Sequence, residues 1–188
     1  MRVAAAETHR THPAQPADSR WDEAVDEHRT ALAAFLDTAE QLTDDAWGAP
    51  WGPGKWARGQ VVEHMTLAYE ALVAELREGR KMAPRVPRWQ QNLLRWVLLP
   101  HILFHRRFPL RARAPRETRP LGETIPPGTL IPRLRQAAER FEQELEAARH
   151  RGGGFIDTPY FGTVDPTRAL RFCAVHLEHH RRQVAPPA

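Results

Sequence analysis

This chain of 188 residues lacks several sequence features that mark particular classes of protein. Its single cysteine, Cys173, excludes an intramolecular disulfide framework and is typical of a reducing compartment. The most apolar run, residues 93–104, contains Arg95 and Pro100 and is too short to cross a bilayer. The N-terminal residues have no apolar stretch of the kind that signal peptides carry. We therefore expect a cytoplasmic protein.

Common catalytic and nucleotide-binding motifs are also absent. No G-x-S-x-G, P-loop or G-x-G-x-x-G sequence occurs, and H-E-x-x-H is excluded because Leu177 follows His176. The sequence shows no sustained alternation of apolar and polar residues and no Asn-Gly turn, so it predicts no β-strand.

Apolar residues instead recur every three or four positions in four segments, which is the spacing of one helix face. The predicted helices cover about residues 19–42, 57–79, 130–148 and 165–184. The content of 41% hydrophobic and 27% charged residues is that of a globular protein. We predict an all-α fold, a four-helix bundle over residues 19–185, after a disordered tail over residues 1–18.

Local residues indicate where these helices begin. Ser19 is a candidate N-cap for the first helix, and Asp165 followed by Pro166 for the last. Pro132 is compatible with the third helix if it lies in the first turn.

Three connections carry further expectations. Residues 43–58 form a loop whose three tryptophans, Trp47, Trp51 and Trp56, are expected to pack firmly and could wall a pocket. Residues 155–164 form a second loop. The connection between helices two and three is long and partly helical, with a short helix from Trp89 to about His105 that bends near Pro100.

The net positive charge is concentrated in the long connection. Residues 80–119 contain eleven Lys or Arg and one acid, Glu117, whereas the remaining residues have a net charge of −6. A solvated basic loop is the plainer interpretation. The alternative function is a non-catalytic binding protein whose 80–119 segment contacts a membrane, a nucleic acid or a second copy in a homodimer.

Three histidines are candidate metal ligands. His176 and His180 are one helical turn apart, so their imidazoles lie on the same side, at the edge of an apolar face. His64 flanks the apolar face of helix two. Neutral imidazole is a common ligand for zinc and nickel, and three such nitrogens from two adjacent helices would form an open site. His179 points away from the face and would support the site or lie at the surface.

A plainer interpretation is that the histidines of the last helix only stabilise its dipole at a solvated end. His101 and His105 share the i,i+4 spacing, but the neighbouring Arg106 and Arg107 disfavour a cation there. Cys173 is three residues before His176 and could face the site, although a lone cysteine on such a face is usually part of the core.

Two stretches carry a resemblance to a known family. Residues 56–65, W-A-R-G-Q-V-V-E-H-M, are similar to its W-[ST]-x-x-[EQ]-x-x-x-H-L helix, and residues 176–183, H-L-E-H-H-R-R-Q, are similar to its H-x-x-H-H-x-x-Q helix. The chain thus resembles the DinB-like superfamily of four-helix-bundle metalloenzymes. The resemblance implies that His64, His176 and His180 bind a divalent metal. Ala57 departs from the family pattern, because Ser or Thr is common at that position.

The resemblance also implies a class of activity, because the family includes metal-dependent thiol transferases that use bacillithiol, mycothiol or glutathione. Our hypothesis is a metal-dependent transferase or hydrolase in which zinc or nickel activates a low-molecular-weight thiol or water against a small-molecule substrate. Glu63 or Glu178 could orient the imidazoles. The sequence identifies no catalytic residue beyond these ligands.

Overall fold

The computed structural model describes residues 16–109 and 113–186, and most of them are helical. In chain order the elements are α1 Pro16–Glu40, α2 Asp44–Gly48, α3 Arg58–Glu78, α4 Arg88–Leu93, α5 Leu99–His105, α6 Pro127–His150, β1 Ile156–Thr158, β2 Gly162–Val164 and α7 Pro166–Val184. A π-helical turn, Leu94–Leu98, joins α4 to α5, and a 3-10 turn, Arg116–Thr118, precedes α6. The all-α prediction is confirmed.

The four longest helices share one apolar core. Helix α1 packs along α7 and α3 along α6, and further contacts join α1 to α6 and α3 to α7. Most residues that the helical spacing assigned to inward faces are buried, among them Phe35, Met65, Leu134, Phe141 and Leu170, whereas Leu72 and Leu76 of α3 are only partly buried. The amphipathic periodicity therefore identified the packing faces correctly, because each long helix buries one apolar side.

The helix ends agree with the sequence at some positions and not at others. Asp165 caps α7, since its Oδ1 accepts a hydrogen bond from the Arg168 N–H at 3.0 Å, and Pro166 follows at the first helical position. The Ser19 cap was wrong, because α1 already begins at Pro16. Residues 1–15 of the expected tail lie outside the described residues.

Two further helix starts differ from the simplest pattern. Helix α6 begins at Pro127, so Pro132 lies in its second turn and not its first, where its ring removes a backbone donor from the helix. Ala57 precedes α3 without a side-chain cap, and the Gln60 Oε1 accepts from the Ala57 N–H at 3.0 Å. The glutamine thus supplies half of a capping box.

The loop over residues 43–58 contains α2 and packs unevenly. Trp47 is buried, and its indole N–H donates to the Ile125 carbonyl at 2.9 Å. Trp56 is partly buried, whereas Trp51 is exposed. Firm packing is therefore confirmed for Trp47 and wrong for Trp51.

Trp47 packs so closely against Gly59, the second residue of α3, that it leaves no space for a side chain there. A Cβ on Gly59 would lie 2.3 Å from the Trp47 Nε1 and 2.6 Å from its Cε2. Gly→Ala changes in helices usually stabilise by roughly 0.5–1 kcal/mol. We expect Gly59→Ala to destabilise the fold instead, by about 1–3 kcal/mol, because the indole must move away from the Ile125 carbonyl. Urea unfolding would measure this loss.

Gly128→Ala is the matched control, because Gly128 lies in α6 and a Cβ added there would have no atom within 4 Å. A Gly59→Ala protein as stable as the Gly128→Ala protein would contradict the close approach of Trp47.

The expectation of a loop over residues 155–164 was wrong, because β1 and β2 form a short antiparallel hairpin. Ile156 pairs with Val164 and Thr158 with Gly162. The hairpin is tied to α3, because the Asp157 N–H donates to the Glu75 Oε1 at 2.7 Å. Strands of three residues are too short to show an alternation in sequence.

The described parts of the long connection pack against the body of the protein. Helices α4 and α5 follow each other through the π-helical turn directly before Pro100, which confirms a helix that is irregular at that point. Arg106, with φ of 51°, ends α5, and its guanidinium donates to Glu178 and to Glu27 at 3.0 Å. Within the described residues, no helix carries an apolar stretch of bilayer-spanning length.

Candidate metal centre

His64 on α3 meets His176 and His180 on α7 in the interior between these helices. The ring centroid of His64 lies 5.4 Å from that of His176 and 4.9 Å from that of His180, and the two α7 rings are 4.6 Å apart. One nitrogen from each ring lies within 4.8 Å of the other two. Among the described residues, no other group of three His, Cys, Asp or Glu has this geometry.

A backbone carbonyl determines which nitrogen of His64 carries the proton. The His64 Nδ1 lies 2.7 Å from the carbonyl oxygen of Thr118 in the 3-10 turn. A carbonyl can only accept a hydrogen bond, so Nδ1 must donate and Nε2 keeps its lone pair. The long connection therefore orients this imidazole, in the way that outer partners orient metal-binding histidines.

Gln183 performs the same role for His180. Its side-chain Oε1 lies 2.8 Å from the His180 Nδ1, and its Nε2 lies 3.2 Å from the His179 Nε2. The amide donates to His179 and accepts from His180, which places the proton of His180 on Nδ1. His179 thus supports the site through Gln183, in agreement with its position off the apolar face.

The Nε2 atoms of the two α7 histidines face each other. The Nε2 atoms of His176 and His180 are 3.0 Å apart, and His180 has no proton on that atom. Either the His176 Nε2–H donates to the His180 Nε2, or a cation lies between the two nitrogens. A metal ion bound by both nitrogens and by the Nε2 of His64 would satisfy all three.

Burial keeps these imidazoles in the neutral form. Removal from water lowers the pKa of His64, and it lowers the pKa values of His176 and His180 well below the usual range. The neighbouring imidazoles lower the pKa values of His176 and His180 further, because a second positive charge would be unfavourable there. Neutral imidazole is the form that binds metals. His64 and His180 are buried, whereas His176 keeps partial access to solvent.

Aromatic rings surround the histidines. Trp56 lies 5.3 Å from His64, and Phe172 stacks on His176 at 5.8 Å. Phe108, from the long connection, lies 5.8 Å from His176 and 4.9 Å from His179. Of the three tryptophans expected to wall a pocket, only Trp56 contacts the candidate ligands. Phe172, one turn before His176, could have been identified by spacing, but nothing in the sequence indicated Phe108.

The acids proposed as orienting residues do not bond the imidazoles. Glu178 accepts from the Arg106 guanidinium at 3.0 and 3.2 Å. Glu63 is buried, and its Oε2 has no hydrogen-bond partner among the described residues. The imidazoles are held by Thr118 and Gln183 instead. No sequence pattern indicated Thr118, because a backbone carbonyl is available at any residue.

The other candidate ligands do not form a comparable site. The rings of His101 and His105 are 4.3 Å apart, but both side chains are exposed and no third ligand joins them within the described chain. Cys173 is part of the core, and burial raises the pKa of its thiol to about 12, so it is unsuited to act as a thiolate. His176 and His180 are not at a solvated helix end.

A family model, described as the DinB superfamily, matches residues 24–184. No curated protein and no solved structure matches the chain. The matched region includes all three candidate ligands and both helices that carry them. The chain therefore belongs to the DinB superfamily.

Proposed function

We propose that the protein is a metal-dependent enzyme in which His64, His176 and His180 hold one divalent cation. A single observation carries this proposal, namely three neutral imidazoles whose nitrogens lie within 4.8 Å of one another. We also infer that the four long helices form the bundle that holds this centre. A small-molecule substrate and a cytoplasmic site of action remain predictions.

The donor set suits zinc or nickel. Three imidazole nitrogens are ligands that both metals accept, and three protein ligands leave a coordination position open for water or substrate. Two of the three imidazoles have Nδ1 partners that aim Nε2 at the common point. The Nε2 atoms of His176 and His180 face each other at 3.0 Å, so one cation could bind both.

The bound metal would supply Lewis acidity that lowers the pKa of a thiol or a water molecule. The surrounding residues would bind and orient the other reactant. Trp56, Phe108 and Phe172 form apolar walls that exclude water and favour an apolar substrate. The Thr118 contact places residues 113–119 beside the site. The charges of Arg116 and Arg119 in this stretch would attract the carboxylates of a thiol cofactor. A thiol S-transferase or a hydrolase fits this arrangement.

Elemental analysis of the protein, purified without a histidine tag, tests the proposal. We expect about one zinc or nickel per chain, as three ligands in one site predict. The double variant His101→Ala/His105→Ala should retain the same content, because no third ligand joins that pair in the part of the chain that the structure describes. A protein that neither retains nor takes up a divalent metal would contradict the proposal.

The reaction class is tested on metal-loaded protein. Consumption of a low-molecular-weight thiol with an electrophile indicates a transferase, and hydrolysis of ester or amide substrates indicates a hydrolase. Either activity should disappear after chelation and return with the metal. Turnover that survives complete removal of the metal would exclude the mechanism.

Gln183→Ala should weaken metal binding by about 10- to 100-fold, because His180 loses the partner that holds its ring. Competition with a chromophoric chelator would measure the change. Gln183→Glu should restore part of the affinity, since a carboxylate also accepts from Nδ1–H. Gln143→Ala, at an exposed position of α6, is the control. Equal affinities for Gln183→Ala and Gln143→Ala would exclude this positioning role.

A further inference from the structure

The segment α4–α5 exposes an apolar face. Five large side chains on it keep between 57 and 82% of their surface in water: Trp89, Leu93, Trp96, Val97 and Phe104. They follow one another at helical spacing, and exposed Pro100 lies among them. Of the large apolar side chains that are exposed in the described residues, most belong to this one face. Contiguous apolar surface of this kind marks an interaction site.

The opposite side of the same segment packs against the protein core. Leu99 and Ile102 are fully buried, and Leu94, Leu98 and Leu103 pack against the core residues. The segment is therefore apolar on two sides. Apolar helix faces are normally covered, and within the described residues nothing covers the outer face of this segment.

The exposed face is held in a defined position. The Gln91 Nε2 donates to the Pro159 carbonyl at 3.3 Å, and the Arg95 guanidinium donates to the Thr163 carbonyl at 3.0 Å. Both contacts join the segment to the β-hairpin. At the other end, Arg106 donates to Glu27 and Glu178. The face is thus presented by an anchored element and not by a loose loop.

The charge carried by this part of the chain itself has one sign. Residues 80–109 contain seven Lys or Arg and no Asp or Glu. Arg88 and Arg107 are exposed at the two ends of the segment, and Arg85 is exposed just before it. Arg106 is neutralised within the protein by Glu27 and Glu178. The exposed arginines therefore leave a positive border around an apolar centre.

We propose that the α4–α5 face docks on an anionic lipid surface. Tryptophan, phenylalanine and leucine on one side of a helix, bordered by arginine, form an element that lies in the headgroup plane of a bilayer. The side chains enter the acyl boundary, and the arginines contact lipid phosphates. The segment over residues 88–105 is roughly 27 Å long at about 1.5 Å per residue, which suits a helix lying flat on that surface.

Charge and chemistry favour this occupant over two others. A second copy related by a two-fold axis would place the same arginines opposite each other, with no acid in residues 80–109 to pair with them. A nucleic acid would meet the arginines but leave Leu93, Val97 and Phe104 without an apolar environment. The docking does not depend on the proposed metal chemistry.

Cosedimentation of the full chain with vesicles tests the proposal. We expect binding to vesicles of phosphatidylcholine with one quarter phosphatidylglycerol, and at least tenfold weaker binding to pure phosphatidylcholine. Trp96→Ser/Phe104→Ser should reduce binding to the anionic vesicles at least tenfold. Leu121→Ser is the matched control, because Leu121 is equally exposed but lies outside the segment. Thermal unfolding and metal content confirm that each variant is folded.

The contribution of charge is tested separately. Arg88→Gln/Arg107→Gln should weaken binding to anionic vesicles, as should raised salt, whereas Arg20→Gln on the exposed side of α1 should not. Several outcomes would overturn the proposal. These are equal binding to both vesicle types, binding unaffected by Trp96→Ser/Phe104→Ser, binding to duplex DNA but not to vesicles, or a lipid-free dimer that the same double variant dissociates.

Discussion

His180→Ala is expected to lower the affinity of the protein for zinc or nickel by more than roughly 100-fold. Replacing an outer partner of a metal ligand costs roughly 10- to 100-fold, and loss of the ligand itself should cost more. His180 also links the other two rings, with centroid distances of 4.6 Å to His176 and 4.9 Å to His64. Two imidazoles would remain, which is fewer than a stable zinc site normally has.

His64→Ala tests the contribution of the second helix. The same loss is expected, because His64 is the only candidate ligand that α3 supplies. His179→Ala should have a smaller effect, since His179 acts through Gln183 and its ring is not among the candidate ligands. Chelator competition and elemental analysis would give both affinity and stoichiometry. Unchanged metal content in His64→Ala and His180→Ala would reject the site.

Acidification from pH 7.5 to 5.5 is expected to destabilise the metal-free protein by about 4 kcal/mol at most. The folded state holds His64, His176 and His180 neutral, because burial lowers their pKa values. The unfolded chain protonates them near pH 6.5. It therefore binds more protons than the folded chain below that pH, and stability falls as pH falls. Each histidine contributes at most about 1.4 kcal/mol over these two pH units, because the unfolded chain takes up its proton only near pH 6.5.

Urea unfolding at several pH values would measure this dependence. His101→Ala/His105→Ala is the control, because it removes two exposed histidines that lie outside the buried cluster. Zinc should raise stability at pH 7.5, since a ligand that binds only the folded state adds RT ln(1 + [L]/Kd) to the free energy of unfolding. This gain should decrease on acidification, because protons compete with the metal for the imidazoles. Stability that is constant between pH 7.5 and 5.5 would contradict the burial of neutral histidines.

The spacing of residues along the chain was sufficient to predict the parts of this fold that depend only on neighbouring residues. A helix shows its apolar side in sequence because side chains three and four positions apart share a face, as Leu134 and Phe141 do. The Asp165-Pro166 start of α7 was equally readable, since a cap needs only its own helix turn. Boundaries that depend on contacts were less accurate, as α1 shows by beginning three residues before Ser19.

The candidate metal site likewise has parts that the sequence predicted and parts that it did not. His176 and His180 could be paired from sequence because one helical turn joins them. His64 was a candidate because it flanks the apolar face of helix two, and the family resemblance implied the same three ligands. Two other contacts of these imidazoles could not be predicted, each for a different reason. Thr118 contributes a backbone carbonyl, which no residue type identifies, and Phe108 reaches His176 from a connection whose path the sequence does not specify.

By itself, then, the sequence determined the helices, their inward faces, the i,i+4 histidine pair and the concentration of positive charge in residues 80–119. Only the tertiary structure decided that His64 meets that pair, that residues 155–164 form a hairpin and that α4–α5 leaves an apolar face in water. The reason is physical. Periodicity is a property of neighbouring residues in one helix, whereas the surface that covers a given face comes from residues far away in the chain.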